Sequence, residues 1–257
     1  MYKIVFFDVD GTLLSETDRS MHASTKEAID KLIAKGIKIA IATGRPYQLC
    51  EEFKLLDIDY FISANGALIN SKDGIIHKSV LSADTVRQVT AFAESHGHGL
   101  SYFTEMLGMN GIGADDDRVT KALHETLGVT QYPPSIVIDE VYCLCLYADD
   151  EATKKFTVQF PQLRFHRFHG YVVNVLEAAE VSKSVAIRKV LEQLEISETE
   201  AIAFGDGGND IDMLDYVGLG IAMGNGEERL KQHADFVTTK ASEGGIAYAL
   251  KKFGVIS

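Results

Sequence analysis

Cysteine is scarce and odd in number: Cys50, Cys143 and Cys145 are the whole set. Three thiols cannot all pair. The Cys143-x-Cys145 pair sits in an alternating apolar run with no companion His/Cys spacing for zinc, so free buried thiols are expected. Long apolar runs are missing as well. None approaches the roughly 20 residues that span a bilayer, and the first residues run straight into an apolar strand with no signal-peptide pattern. A cytoplasmic protein with no membrane partner is the expectation. Basic charge is in deficit: 25 Lys and Arg against 37 Asp and Glu leave a formal net charge of −12. That field disfavours nucleic acid and anionic membranes as partners. It tolerates a small phosphorylated metabolite, because a bound cation and a few local basic groups outweigh a distant field. Internal repeats and low-complexity tracts are also lacking, and 46% hydrophobic residues support an ordered core, as a monomer or small homo-oligomer.

What is present is organised around Lys3-Ile4-Val5-Phe6-Phe7-Asp8-Val9-Asp10-Gly11-Thr12. An apolar run of this kind reads as a buried parallel strand, and two carboxylates follow it one residue apart. In extended chain, positions i and i+2 face the same way, so Asp8 and Asp10 need a cation or hydrogen bonds to offset their desolvation. Gly11 allows a tight turn, and Thr12 is placed to bond the backbone around it. A polar Asp/Gly turn at a strand end is the plainer alternative.

The rest of the chain alternates. Ser24 and Glu27 form a capping-box signature before a helical stripe of Ala28, Ile29, Leu32 and Ile33, closed by Gly36. Strand 37–42 leads to Thr43-Gly44-Arg45. Pro46 opens a helix with Leu49, Cys50 and Phe53 inside, and strand 60–64 ends in Asn65-Gly66. A hairpin spans 67–78 around Ser71-Lys72-Asp73-Gly74. From about Ser82 the rhythm changes to a helix (83–96), a strand (99–104), an irregular Gly-rich stretch (108–113) and a helix from Asp115-Asp116-Asp117. Strands at 141–147, 163–168 and 171–176 and a helix at 149–160 follow. The doubly wound rhythm resumes at Ser182, with strands 201–204, 219–223 and 236–238 among helices. The prediction is an α/β fold: a doubly wound, mostly parallel sheet from residues 1–81 and 182–257, with an inserted α+β cap domain over 82–181.

Three core strands end in polar motifs, Asp8/Asp10, Thr43-Gly44 and Gly205-Asp206, and in a parallel sheet such ends share one edge. Phosphoryl transfer fits them. Asp8 can attack phosphorus as a carboxylate nucleophile, and Asp10 can serve as general acid and then base. Asp8, Asp10, Asp206 and the Val9 carbonyl supply oxygens for a hard cation such as Mg2+, with Asp210 able to hold the metal or orient Lys183. The Val9 segment, Thr43 hydroxyl and Gly44 amide are candidate phosphate contacts. Lys183 follows the good cap Ser182 in a helix's first turn, where a cation opposes the dipole unless a phosphate is there to reverse the sign. Asn209 can bond a phosphate oxygen or cap a helix, and Asn65 is a second-rank candidate or a turn former. The histidines form no ligand spacing.

These residues resemble the haloacid dehalogenase superfamily of phosphohydrolases: Asp8-Val9-Asp10-Gly11-Thr12, Ala42-Thr43-Gly44-Arg45, Lys183, and Gly205-Asp206-Gly207-Gly208-Asn209-Asp210. The cap's position, Asn65-Gly66-Ala67, the 220–225 strand and Glu243-Gly244-Gly245 resemble the Cof-like subfamily with a type-2B cap. The resemblance implies Asp8 as nucleophile, Asp10 as acid/base, Thr43 and Lys183 as phosphate holders, and Asp206 with Asp210 at a Mg2+ site. Ser184 stands where the family commonly has glycine. The dehalogenase branch lacks the second aspartate, so Asp10 favours a phosphatase of small phosphate monoesters, sugar phosphates or phosphorylated cofactors, working through an aspartyl-phosphate. A phosphomutase, a non-enzymatic phospho-accepting regulator and a sugar-phosphate binding module are the alternatives.

Overall fold

The computed structural model describes every residue except 46, 48–49, 51–52, 54–55, 105–106, 132, 134–139 and 178–180, with backbone alone at Leu127 and Phe168. The chain forms two compact units: Met1–Gly44, Glu51–Ile76 and Ser182–Ser257 in the first, Arg45–Cys50 and His77–Val181 in the second.

The first unit is built on β1 (Ile4–Phe7), four apolar residues buried without alternation because both sheet faces are covered. It pairs in parallel with β2 (Lys38–Ala42) and β11 (Ala201–Gly205), Phe7 lying opposite Ile41 and Phe204. Outward on one side lie β12 (Leu219–Ala222) and β13 (Phe236–Val237). On the other lie β3 (Tyr60–Ser63), β4 (Leu68–Ser71) and β5 (Gly74–Lys78), giving the order β13-β12-β11-β1-β2-β3-β4-β5. All pairs from β13 to β3 are parallel, and β3–β4 is antiparallel. The strand order reverses direction at β1, the place where such sheets bind ligands.

Helix α5 (Lys183–Leu194) presents Ala186, Ile187, Val190 and Leu191 at helical spacing to Ile4, Phe6, Ala201 and Ala203. Val5 and Phe7 point to the other face, where Phe7 stacks on Phe204 with centroids 5.3 Å apart. Helix α1 (Ala23–Ala34) buries Ala28, Ile29 and Leu32. Its cap differs from the Ser24–Glu27 expectation: His22 is the N-cap and accepts from the Ser24 amide, so the helix starts two residues earlier with an imidazole in the hydroxyl's role. Helices α6 (Ile211–Tyr216), α7 (Glu228–Lys231) and α8 (Gly245–Lys252) complete the unit. Of the helix expected after Thr43, Pro46 and Leu49 lie outside the described residues, while Cys50 and Phe53 are buried.

The second unit is a five-stranded sheet, β7-β6-β8-β10-β9, with antiparallel neighbours. Its strands are β6 (Leu100–Phe103), β7 (Leu107–Met109), β8 (Cys143–Tyr147), β9 (Leu163–His169) and β10 (Val172–Glu177). Strand β7 takes the first two residues of the expected irregular stretch, Leu107, Gly108 and Met109 pairing with Phe103, Tyr102 and Ser101, while 110–113 form neither strand nor helix, as expected. Helices α2 (Ala83–Ser95), α3 (Asp117–Leu127) and α4 (Asp150–Gln159) accompany it. Val89 and Phe156 join Leu144, Leu146 and Val173 in its core. Cys50, Cys143 and Cys145 are buried and form no disulfide, as expected.

Candidate active site

The site lies within the first unit, at the carboxyl ends of its central strands. Asp8 is the first residue past β1; its amide still bonds the Phe204 carbonyl at 3.0 Å, and its side chain turns inward to 9% exposure. Opposite it, Ser182 caps α5, its hydroxyl accepting from the Val185 amide. That places Lys183 in the first turn, wholly buried, with Nζ 2.6 Å from Asp8 Oδ1 and 2.6 Å from Asp210 Oδ1. Lys183 is therefore no solvated surface lysine. The two carboxylates offset both the desolvation and the unfavourable dipole.

Asp210 is tied at its other oxygen: Oδ2 accepts from the Asp206 and Gly207 amides at 3.0 and 2.9 Å. This closes the loop after β11 and aims Asp206 back toward Asp8. Thr12, expected to bond its own turn, instead donates its hydroxyl to Asp206 Oδ1 at 3.0 Å. Gly11, at φ +81°, allows the close approach, since a Cβ there would lie 2.2 Å from Asp206 Oδ2. Asp8, Asp206 and Asp210 each present an oxygen within 4.8 Å of the others.

Three carboxylates around one ammonium leave an excess of negative charge. Burial, with repulsion from Asp8 and Asp210, pushes Asp206 up to about 9. Burial also raises Asp8 to about 7, Lys183 working against the shift and Asp210 with it. Burial works against the Lys183 charge, yet Asp210 and Asp8 carry its pKa above the ordinary lysine value. A cluster of hard oxygen donors that must be protonated to be neutral is the donor set a divalent cation fits.

Two further expected ligands stand apart from this side-chain cluster. The Val9 carbonyl accepts from the Thr12 and Leu14 amides at 3.3 and 2.9 Å within the turn. The Asp10 carboxylate lies outside the cluster, 3.3 Å from Arg19, with its side chain 48% exposed. The turn at Val9–Gly11 rotates it away from the i, i+2 alignment expected of a continuing strand.

Thr43, buried just past β2, donates its amide to Ile62 and accepts at its carbonyl from the Asn65 amide at 2.9 Å; partly buried Gly44 follows. Asn209 donates to Asn65 Oδ1 at 2.9 Å instead of capping a helix. Asn225, which closes the 220–225 segment of the resemblance but has no role assigned there, donates Nδ2 to the Gly11 carbonyl at 2.8 Å while its Oδ1 accepts from the Ala241 amide. Its signals in the sequence were that resemblance and a place at the end of another core strand. Arg19 carried no signal at all.

The sequence profile of the haloacid dehalogenase-like hydrolases matches residues 5–250. The chain belongs to that family, and it is a hydrolase, which sets aside the non-enzymatic readings. A Bacillus subtilis (strain 168) protein, YkrA, provisionally named a phosphatase, is 34% identical over 99% of this chain and 98% of its own. From the same organism, the 5-amino-6-(5-phospho-D-ribitylamino)uracil phosphatase YitU is 27% identical over 97% of each. Among solved structures, the subclass IIB sugar phosphatase BT4131 superposes with a TM-score of 0.89 at 32% identity, covering 99% of this chain and all of that one. Among the described residues no helix is long and apolar enough to cross a membrane.

Proposed function

We propose that this hydrolase is a Mg2+-dependent phosphatase of small phosphate monoesters that works through an aspartyl-phosphate on Asp8. The observation that carries the reading is the Asp8 carboxylate at the end of β1, clamped by buried Lys183 and facing Asp206 and Asp210. Asp8, Asp206 and Asp210 would hold the cation, which when bound supplies charge neutralisation between the carboxylates and the phosphoryl oxygens.

The remaining chemistry belongs to the chain. Lys183 fixes Asp8 through Oδ1 and places an ammonium where the dianionic phosphoryl group arrives. The Thr43 hydroxyl and the Gly44 amide hold its oxygens. Asp8 attacks phosphorus as the bond to the leaving oxygen breaks, and Asp10 delivers a proton to that oxygen. Asp10 then takes a proton from water as the water oxygen displaces Asp8 from phosphorus, releasing inorganic phosphate and restoring the carboxylate. The solvent access of Asp10 suits a group that must swap protons in each half-reaction.

The relatives with named substrates act on a sugar phosphate and a phosphorylated ribityl chain. The substrate class proposed is accordingly a phosphate monoester on a polyhydroxylated carbon chain. Purified protein is assayed against such esters and p-nitrophenyl phosphate, with Mg2+ and with excess chelator. Turnover is expected with Mg2+ only and is abolished in Asp8→Asn. Full activity in that variant, or in chelator, would sink the mechanism.

A further inference from the structure

Ala64-Asn65-Gly66, the segment that follows β3, has three successive positive φ angles, +48°, +54° and +104°. Glycine adopts this region freely and asparagine tolerates it, but alanine does not, and such a run persists only where its surroundings over-determine it. Three contacts do so here. The Asn65 amide donates to the Thr43 carbonyl at 2.9 Å. Asn65 Oδ1 accepts from Asn209 Nδ2 at 2.9 Å. Gly66 packs so closely on α5 that a Cβ would lie 2.3 Å from the carbonyl oxygen of Ser182, the residue before Lys183. One short segment thus touches the supports of three proposed phosphate contacts.

Asn65 is 4% exposed, and among the described residues its Nδ2 has no hydrogen-bond partner. Asn70 and Asn174 share that property, so an orphan amide alone decides nothing. What distinguishes Asn65 is its company. Thr43, Asn209 and the lysine helix are sources of donors, and the partner this buried N–H group lacks is an acceptor, which an anionic oxygen supplies. We propose that Asn65 binds the phosphoryl group, its Nδ2 donating to a non-bridging oxygen while its Oδ1 and main-chain N–H hold Asn209 and Thr43 in register. This rests on the phosphatase reading above.

Two variants of the full-length protein separate binding from support. Asn65→Gly keeps the backbone conformation and removes the side chain. Asn65→Asp keeps the acceptor for Asn209 but puts an anion where the donor was. Removal of one such donor lowers rate by about 10²-fold, so kcat/KM for p-nitrophenyl phosphate should fall by about that factor in Asn65→Gly. It should fall further in Asn65→Asp, with inhibition by orthovanadate weakened in the same order. A supporting residue gives the opposite order, with Asn65→Asp close to wild type and Asn65→Gly reduced chiefly in thermal stability. That outcome overturns the proposal while leaving the reaction intact. An inert wild-type protein that binds no orthovanadate in Mg2+ overturns both.

Discussion

Asp8, Asp206 and Lys183 define the site's chemistry by charge imbalance. Without a cation, folded Asp8 and Asp206 keep protons up to about 7 and about 9, whereas the unfolded chain releases them near pH 4. Raised carboxylate pKa values contribute stability that is complete below about pH 4 and lost as pH climbs through the folded values. A bound cation replaces those protons. The gain in Tm from saturating Mg2+ over chelator should therefore be larger near about pH 8.5 than near about pH 6. Equal gains would move the cation elsewhere. Lys183→Met leaves Asp8 and Asp210 facing each other in a dry site, and the urea midpoint should report a loss of about 3–5 kcal/mol. A loss under about 1 kcal/mol, the range of exposed pairs, would mean that the lysine is not the buried clamp described here.

At the scale of elements, function depends on how loops leave strands. The left-handed turn after β3 lies so close to the Ser182 carbonyl that Gly66 has no substitute. Gly36, at φ +72° after α1, faces open space. Gly36→Ala should cost only the conformational strain, about 1–2 kcal/mol. Gly66→Ala adds a backbone clash and should cost at least about 2 kcal/mol more. Matching urea midpoints for the two variants would show that the packing of residue 66 on the cap of α5 is slack. Element boundaries followed the apolar runs, since strands such as β1 and β11 are buried on both faces and read as continuous hydrophobic segments. Local pattern failed at two points. His22 took the cap of α1, and β7 formed in a stretch whose glycines suggested irregularity.

Across the whole molecule, both arms of the first unit supply the cluster: Asp8 comes from one end of the chain, and Asp206 and Asp210 from the other. Hydrogen exchange should show this. Adding Mg2+ should raise amide protection at residues 8–12, 183–186 and 206–210 together, and leave β8 and β10 of the second unit unchanged. Protection confined to one of the three segments would mean that they do not share a ligand. The second unit's pattern gave a sheet with helices but no site. Its chemistry-bearing residues follow no strand-end rule, so sequence order does not gather them.

Sequence alone determined the alternation of elements, the inserted second module and the family motifs, because burial on both faces leaves an uninterrupted apolar signature and polar residues at strand ends interrupt it. Tertiary structure decided the rest. It buried Lys183 between two acids and gave Thr12 to Asp206. It turned the Val9 carbonyl toward the Thr12 and Leu14 amides, set the Asp10 carboxylate beside Arg19, and joined Asn65 to Asn209 across 144 positions. Each outcome depends on the direction of a side chain or a lone pair after the chain has turned. No linear pattern carries that direction, since it is set by atoms brought from elsewhere in the sequence.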